Sequence, residues 1–266
     1  MNDLEHVHEV LFDILKAIDG LCEKHGITYF LDSGTLLGAV REKDFIPWDD
    51  DVDIAMPRDD YEKFKAVAGE LPEPFLFVTP REYGGYFFDF VSRVIHTGEP
   101  LREETPEDTA QQNHQNRIAV DIFILDEAPD DDRAFRRLAF RRKVNYGKAM
   151  AYRYDKHKQK HTFGERMKIL VLGILGRCSS LEKIMKEQEK ISVLYHGQPG
   201  KYYAKSNTLV NEFGIRDLRA SYAESIKLPI RGTYFNCPAG YDQILTGLYG
   251  DYMTPPPEAE RVPQHM

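Results

Sequence analysis

The sequence predicts an α+β protein, because strand and helix patterns follow one another in an irregular order. That order is helix, strand, turn, helix and strand, then further strands, and finally a long helical region. The chain has 266 residues, of which 42% are hydrophobic, and this is enough for a sizeable buried core. No internal repeat interrupts the pattern.

The first elements alternate between helix and strand. Residues 3–25 carry apolar side chains at three- and four-residue spacing and stop at Gly26, as an amphipathic helix does. The β-branched and aromatic residues 27–31 predict a strand. Residues 32–35 then form a turn, and 36–41 a short helix.

The next elements follow a loop around Pro47 and Trp48. Residues 52–56 predict a second strand that ends at Pro57, and residues 59–69 a helix with apolar side chains on one face. Further strands are expected at 86–95, which is rich in Phe and Val, and at 118–125, where apolar residues alternate strictly.

The rest of the chain is mostly helical. We expect a mobile loop at 98–116, helices from 131 to 195 with breaks near Gly164 and Gly173–Gly176, and a compact helix at 241–249. The three prolines that follow position 254 exclude a helix or a central strand there.

Charge is distributed unevenly along the chain. The net charge is −8, yet residues 133–190 contain 17 Lys/Arg and 5 Asp/Glu, a local balance of +12. Such a segment indicates either a basic surface that faces an anionic partner or solvated helices with long cationic side chains. Its apolar run 167–175 either rests on anionic lipid headgroups or is buried against the rest of the protein.

Several features favour a cytoplasmic protein, with peripheral contact at the inner membrane face as one option. The three cysteines lie far apart and form no disulfide framework or CxxC site. The N-terminus is acidic, unlike a signal peptide, and no apolar run is long enough to span a bilayer.

Asp51 and Asp53 are the first candidates for a metal site. Residues two apart on a strand point to one face, so the two carboxylates project together. Their repulsion is relieved by a divalent cation, and Mg²⁺ prefers carboxylate and phosphate oxygens. A solvated acidic loop is the alternative interpretation. A calcium-binding EF-hand is excluded, because Ile54 stands where that loop needs glycine.

Ser33, Gly34 and Thr35 are candidates for phosphate binding, because a small-residue turn before a helix presents backbone N–H groups and hydroxyls. Asp121, a charged residue in an alternating apolar strand, would complete the metal site or deprotonate an attacking hydroxyl. A structural role at a strand edge, as a helix cap or in a salt bridge, is the alternative for Asp121. Arg93 would either clamp a diphosphate or form a salt bridge to one of the acids.

These motifs resemble the nucleotidyltransferase superfamily and, more narrowly, the LicD family of phosphocholine transferases, to which the fukutin-related proteins are related. The resemblance is carried by residues 33–41, 46–54, 120–123, 240–245, 249–253 and 255–257. It implies a nucleotidyltransferase-type mixed sheet flanked by helices, with a helical insertion. It also implies Mg²⁺, or Mn²⁺ as a substitute, and a CDP-activated donor.

The resemblance assigns roles to the candidate residues. Gly34 and Thr35 would contact phosphate, Asp51 and Asp53 would hold the metal, and Asp121 matches the third acid. Ser33 stands where the family more often has glycine. The cysteine cluster of the animal relatives is missing, so no structural zinc is implied.

The resulting functional hypothesis is transfer of a phospho-alcohol from a CDP-linked donor to a sugar hydroxyl of a cell-surface or lipid-linked glycan, with release of CMP. Lipopolysaccharide and teichoic acid are both acceptors of this kind, and no nucleic-acid partner is expected. The alternatives are an Asp-x-Asp glycosyltransferase that uses a nucleotide sugar and a non-catalytic glycan-binding protein. The choice between choline, ethanolamine, glycerol and ribitol stays open.

A division of the chain into three segments accompanies this hypothesis. Residues 1–130 are expected to form the catalytic core, 131–200 a basic helical insertion, and 201–266 a C-terminal segment that packs back on the core.

Overall fold

The computed structural model describes residues 3–154 and 163–266, with the backbone alone described at 163–166, 168 and 169. The helices are α1 (Leu4–His25), α2 (Ser33–Arg41), α3 (Arg58–Val67), α4 (Pro106–Ala110), α5 (Asp132–Ala149), α6 (Phe163–Arg177), α7 (Leu181–Ser192) and α8 (Tyr241–Tyr249). The strands are β1 (Phe30–Leu31), β2 (Val52–Pro57), β3 (Phe75–Val78), β4 (Ser92–Pro100), β5 (Arg117–Ala128), β6 (Tyr202–Lys205), β7 (Asp217–Leu218), β8 (Ser225–Ile230) and β9 (Thr233–Pro238).

Helix α1 begins and ends within a residue of its predicted bounds. Gly26 adopts a left-handed conformation with φ of 63°, and its N–H donates to the carbonyl of Cys22. The apolar stripe of α1 is buried in the main core together with apolar side chains from α2, β2 and β5. The long N-terminal helix therefore covers one face of the central sheet.

The central sheet is mixed, as predicted, and its strand order β1-β2-β5-β4-β3 is extended by β6 and β7 beside the C-terminal half of β5. Strands β2 and β5 are parallel, whereas the other pairings are antiparallel. The register sets Asp53 opposite Asp121 and, on the other side of β5, Arg93 opposite Asp121. Three charged candidates thus lie in one row across three strands.

The aromatic segment before β4 differs from its prediction. Residues 86–91 are irregular, and Phe87 and Phe90 pack against Tyr146 of α5 instead of pairing in the sheet. A run of buried aromatic residues reads as a strand in the sequence whether its partner is another strand or a helix. Strand β3 was not predicted at all.

The expected mobile loop at 98–116 is wrong in one respect, because the segment contains helix α4. Thr105 and Asp108 form a capping box at the start of α4. The side chains of Asp108, Gln111 and Asn116 are fully buried. Polar composition suggested a solvent-exposed segment, whereas these polar groups are enclosed by the fold.

The basic region forms helices α5, α6 and α7. The predicted break at Gly173–Gly176 is wrong, because α6 continues through it. A Cβ atom at Gly176 would lie 2.2 Å from the carbonyl oxygen of Lys148, so this glycine permits close packing of α6 against α5. The predicted break near Gly164 adjoins residues outside the described part of the chain. Among the described residues, no helix is long and apolar enough to cross a membrane.

The C-terminal region contributes strands that the sequence did not predict. The β8–β9 hairpin inserts Ile230, Phe235 and Cys237 into the main core. Helix α8 has its predicted bounds, and no helix or strand covers 255–257. The division into three segments stays a prediction.

A buried ion pair joins the sheet to α3. Arg58 donates to both carboxylate oxygens of Asp126, at 2.8 and 2.7 Å, and both side chains are at most 5% exposed. Asp126→Asn is expected to lower the free energy of unfolding by about 1–3 kcal/mol, because it removes the charge of the buried partner while Glu189 and Glu62 still contact the Arg58 guanidinium. Denaturant titration measures this change.

The control is Glu182→Gln, which removes one partner of an exposed ion pair with Lys186 on α7. Its midpoint should stay at the parent value, because solvent screens exposed pairs. An Asp126→Asn midpoint equal to that of Glu182→Gln would contradict a stabilising role for the Arg58–Asp126 pair.

Candidate active site

A cavity of about 1010 Å³ opens on the face of the sheet that α1 leaves uncovered. Its walls come from the start of α2, the loop 46–51, strands β2, β4 and β5, and the C-terminal residues 249–265. Of the predicted site residues, the cavity brings together Ser33, Gly34, Asp51, Asp53, Arg93 and Asp121. Thr35 lies directly behind this wall.

Asp53 and Asp121 form the centre of the site. They are register partners in parallel strands, so their Cα atoms are neighbours about 4.8 Å apart. Asp51 lies just before β2 rather than within it, and it still lines the same cavity. The three acids predicted from the sequence therefore meet, with two of them on the sheet and the third on the preceding loop.

This concentration of carboxylates disfavours their ionisation. Burial, followed by the charges of Asp51 and Asp121, holds the pKa of Asp53 well above its ordinary value. Burial raises the pKa of Asp121 to about 6, although Arg93 opposes the shift. Burial and the neighbouring Asp51 raise the pKa of Asp49 to about 8. The site has more negative charge than its own cations balance, which suits a cation.

Arg93 provides part of the positive charge that offsets these carboxylates. Its guanidinium contacts Asp121 at 2.8 Å and Asp89 at 2.7 Å, and it donates to the Tyr83 hydroxyl at 2.7 Å. The side chain is only 6% exposed. The salt bridge weighed as the alternative for Arg93 is present, and it fixes the orientation of Asp121. A contact between Arg93 and a donor phosphate stays a prediction.

Lys205 provides the second cation, on the far side of Asp53. Its ammonium group forms an ion pair with buried Asp32 and donates to Ser33 Oγ at 3.2 Å. The nearby carboxylate of Asp32 raises the pKa of Lys205 although burial opposes the shift. Sequence reasoning missed Lys205, because nothing near it in the sequence shows that β6 lies beside the start of α2.

The start of α2 has the geometry expected of a phosphate-binding turn. Ser33 has a positive φ of 47°, a conformation that favours glycine, and this explains a preference for glycine at that place. A Cβ atom at Gly34 would lie 2.5 Å from Asp49 Oδ2. The absence of a side chain at Gly34 therefore lets the acidic loop approach the helix N-terminus.

Thr35 has a different position from its two neighbours. It is 3% exposed, and its hydroxyl accepts a hydrogen bond from the N–H of Asp53 at 2.8 Å. The hydroxyl thereby ties α2 to the strand that carries the central acid. A phosphate contact by Thr35 stays a prediction.

Asp50 holds the C-terminal residues over the cavity. Its carboxylate accepts hydrogen bonds from the N–H groups of Gln264 (3.2 Å), His265 (2.7 Å) and Met266 (2.8 Å), and it contacts His265 Nδ1 at 3.0 Å. Burial alone would raise the pKa of Asp50, but these bonds lower it to about 2. The sequence pattern gave no sign of this role, because it showed Asp50 only as an acidic residue next to Asp49 and Asp51.

The donor set fits a hard divalent cation, because it consists of carboxylates beside a helix N-terminus that suits phosphate. Asp53 and Asp121 are paired on adjacent strands, and Asp51 lines the same cavity beside them. Within residues 3–154 and 163–266, no three His, Cys, Asp or Glu side chains lie close enough to form a complete metal site. Substrate oxygens would supply the remaining ligands.

Trp48 lines the cavity but is not a free aromatic surface. The guanidinium carbons of Arg41 and Arg261 lie 6.0 and 5.2 Å from its ring centroid. Tyr249 also lines the cavity, and it is about half exposed. These contacts do not distinguish a quaternary ammonium head group from a neutral polyol.

Several known proteins resemble this chain in sequence. Residues 26–166 match the family described as LicD/FKTN/FKRP, nucleotidyltransferase domain. The chain is 27% identical to the lipopolysaccharide cholinephosphotransferase LicD of Haemophilus influenzae over 97% of its own length and 94% of that protein. It is also 37% identical over 82 residues to the ribitol 5-phosphate transferase FKRP of Homo sapiens and of Mus musculus. This match covers 29% of this chain and 17% of each of those proteins.

Ser33 allows a direct test of the turn. Ser33→Gly should keep the free energy of unfolding within about 1 kcal/mol of the parent, because relief of the positive φ offsets the loss of the Oγ contacts. Ser33→Val should lower it by about 1–3 kcal/mol, because a β-branched side chain disfavours this conformation. Thermal and denaturant unfolding provide both values. Equal stabilities of the two variants would contradict the positive φ at Ser33.

Proposed function

The chain belongs to the LicD/FKTN/FKRP nucleotidyltransferase family, and we propose that it transfers a phospho-alcohol from a CDP-activated donor to a hydroxyl of a cell-surface glycan, with release of CMP. The observation that carries this proposal is the pairing of Asp53 with Asp121 beside the N-terminus of α2. Carboxylates for a cation and N–H groups for phosphate then lie on two sides of one cavity.

Phosphocholine is the group that we assign first. The relative that this chain matches over nearly its whole length is named a lipopolysaccharide cholinephosphotransferase, which favours choline and a lipopolysaccharide acceptor. The shorter match to the ribitol 5-phosphate transferases keeps ribitol as the second choice. Phosphoethanolamine and glycerol phosphate belong to the same class of transferred group. Teichoic acid belongs to the same class of acceptor as lipopolysaccharide.

Mg²⁺, or Mn²⁺ in its place, would be held by Asp53 and Asp121 together with the donor phosphates, and Asp51, on the loop just before β2, would add negative charge beside them. When bound, the ion neutralises the phosphate oxygens as negative charge moves to the leaving CMP. The high pKa of Asp53 supports this assignment, because a cation at that place would replace the proton.

The protein side of the reaction begins with donor placement. The N-terminal N–H groups of α2 and the Ser33 hydroxyl, at the cavity wall, bind phosphate oxygens and orient the β-phosphorus toward the acceptor. The acceptor oxygen forms a bond to the β-phosphorus while the bond from that phosphorus to the CMP oxygen breaks. The alcohol stays on the transferred phosphate.

The alternative to metal ligation for Asp121 is that it accepts the proton of the attacking hydroxyl. Its pKa of about 6 is near the range in which a general base works at neutral pH. Arg93 holds the carboxylate from the side of β4 through a two-point contact. The product protonation then balances: the hydroxyl proton goes to Asp121, and CMP leaves with the electron pair of the broken bond.

The decisive experiment is product analysis with Mg²⁺, a core oligosaccharide acceptor and CDP-choline, CDP-ethanolamine or CDP-ribitol. The proposal predicts release of CMP together with a phospho-alcohol ester on the oligosaccharide. Release of a nucleoside diphosphate from a nucleotide sugar would favour the glycosyltransferase alternative. No turnover of either donor class would contradict both enzymatic hypotheses.

Asp53→Asn should abolish transfer, lowering kcat/KM by at least about a thousandfold, because Asn keeps the size of the side chain but not its charge. Folding should be preserved, as judged by circular dichroism and thermal unfolding. Asp60→Asn is the matched control, since Asp60 pairs with Lys63 on α3 and does not line the cavity. Turnover by Asp53→Asn at the rate of Asp60→Asn would exclude Asp53 from the site.

We also propose that helix α6 docks the protein on an anionic membrane that carries the acceptor. Its face of large apolar side chains is solvent-exposed, with exposed fractions of 46–57% at Met167, Leu170, Val171, Ile174 and Leu175. The alternative prediction from the sequence, that this run is buried against the rest of the protein, is wrong for these five side chains. Of the other residues of this run, the side chain of Ile169 lies outside the described part.

The neighbouring helix supplies charge of the required sign. Helix α6 packs on α5 through Leu172 at Gly147, and α5 exposes Arg133, Arg136, Arg137 and Arg141. Each basic residue near an anionic bilayer contributes about 1 kcal/mol, and insertion of apolar side chains adds to this.

Co-sedimentation with liposomes tests the docking. The protein should bind phosphatidylglycerol-containing vesicles, bind less as salt rises, and not bind phosphatidylcholine vesicles. Leu170→Glu/Ile174→Glu should abolish sedimentation, because it removes apolar contacts and adds negative charge. Leu76→Glu, at an exposed apolar residue of β3, is the control that should sediment normally. Equal sedimentation of all variants, or no sedimentation at low salt, would contradict the docking role.

A further inference from the structure

One end of the cavity contains an arginine without a partner. Arg117 is the first residue of β5 and lines the cavity. It lies on the same face of β5 as Asp121, four residues away, which is about 13 Å along a strand. In the part of the chain that the structure describes, its side chain forms no ion pair, hydrogen bond or cation–π contact. Its charge therefore remains available to an anion in the cavity.

Two other residues of the cavity wall also have unpaired polar atoms. Among the described residues, Gln115 Oε1 and Arg153 Nε are buried and have no hydrogen-bond partner. Arg153 also donates through Nη2 to the carbonyl oxygen of Phe88 at 2.7 Å and lies over the Phe88 ring, so Nε is the part of its guanidinium that is left unpaired. Buried polar atoms in native proteins almost always have a partner, so unpaired ones in a cavity wall indicate bound water or a ligand. We call Gln115, Arg117 and Arg153 the arginine subsite.

The other arginines of the cavity form ion pairs. Arg41 pairs with Glu42 at 2.6 Å, although its Nη2 also has no hydrogen-bond partner among the described residues. Arg102 makes a two-point ion pair with Asp108, at 2.7 and 2.9 Å, and thereby braces the segment that leads to Gln115. Arg93 is engaged with Asp89 and Asp121. The arginine subsite is consequently where the cavity can attract an anion without breaking an existing ion pair.

The donor diphosphate cannot be that anion if it binds at the acidic centre. Its two phosphates share one bridging oxygen, and both are needed near Asp53 and the start of α2. A distance of about 13 Å along β5 separates the level of Asp121 from that of Arg117. The remaining reactant is the acceptor, which must bring a hydroxyl to Asp121 and extend away from it.

We propose that the arginine subsite binds an anionic group, a phosphate or a carboxylate, that the acceptor glycan carries at a distance from the hydroxyl that is modified. Arg117 and Arg153 contact the anion, and the Gln115 amide contacts an adjacent sugar hydroxyl. Arginine suits this role because its planar donors match phosphate and carboxylate oxygens. The inference rests on the proposed function and restricts the acceptor to acidic glycans.

Calorimetric titration tests the subsite without turnover. The probes are a bacterial core oligosaccharide with its phosphates retained, the same oligosaccharide after dephosphorylation, and CDP-choline with Mg²⁺. The parent protein should bind the phosphorylated oligosaccharide more tightly than the dephosphorylated one. Arg117→Gln should weaken the phosphorylated probe about tenfold and leave the other two probes unchanged. Arg81→Gln, at an exposed arginine outside both the cavity and the proposed docking surface, is the control.

The outcomes separate this inference from the proposed function. Equal affinities for the two oligosaccharides, no binding of either, or an Arg117→Gln effect on both would overturn the subsite. Weaker CDP-choline binding by Arg117→Gln would make Arg117 a donor contact and overturn it as well. If the parent protein shows the oligosaccharide difference but releases no CMP from any CDP-alcohol, the subsite stands and the proposed reaction fails.

Discussion

The parallel pairing of β2 with β5 determines the rest of the site, because it sets the carboxylates of Asp53 and Asp121 side by side on an uncovered sheet face. Two such groups are mutually repulsive where burial removes water. The fold surrounds them with compensating contacts: Arg93 holds Asp121 from β4, and Lys205 with Asp32 lies on the other side. Negative charge remains after these contacts are counted, and this favours a bound cation.

The cavity around this pair is assembled from segments far apart in the sequence. The start of α2 forms one wall, and the C-terminal residues tied to Asp50 form another. The β5 end holds Arg117 and its neighbours. Under the proposed function, this arrangement would separate the donor phosphates, held with a cation, from an acidic acceptor held by arginines. If α6 docks on the membrane that carries the acceptor glycan, the same protein would hold its active site close to that acceptor.

Local patterns in the sequence were enough for much of this architecture. Helix α1 follows from its apolar spacing and Gly26, helix α8 has its predicted bounds, and the two acidic strands follow from β-branched residues and alternation. Asp53 and Asp121, which lie in those strands, line one cavity together with Asp51, which lies just before β2. These features depend on neighbours within a few residues, which a sequence pattern records.

The features that were missed depend on contacts between distant residues. The ion pair of Lys205 with Asp32 spans more than 170 positions, and the hydrogen bonds of Asp50 to the C-terminal residues span more than 210. The aromatic residues before β4 pack against α5, and only the tertiary structure shows that their partner is a helix. Gly176 was misread as a break because close packing of helices leaves no local signal.

The most direct test of the central claim is to locate the cation. Crystals grown with Mn²⁺ and CDP-choline would show the ion through its anomalous scattering. The account predicts a single peak between the carboxylates of Asp53 and Asp121, within coordinating distance of the donor phosphates, and loss of that peak in Asp53→Asn. A donor bound in the cavity with no peak there, or a peak away from both carboxylates, would contradict the account.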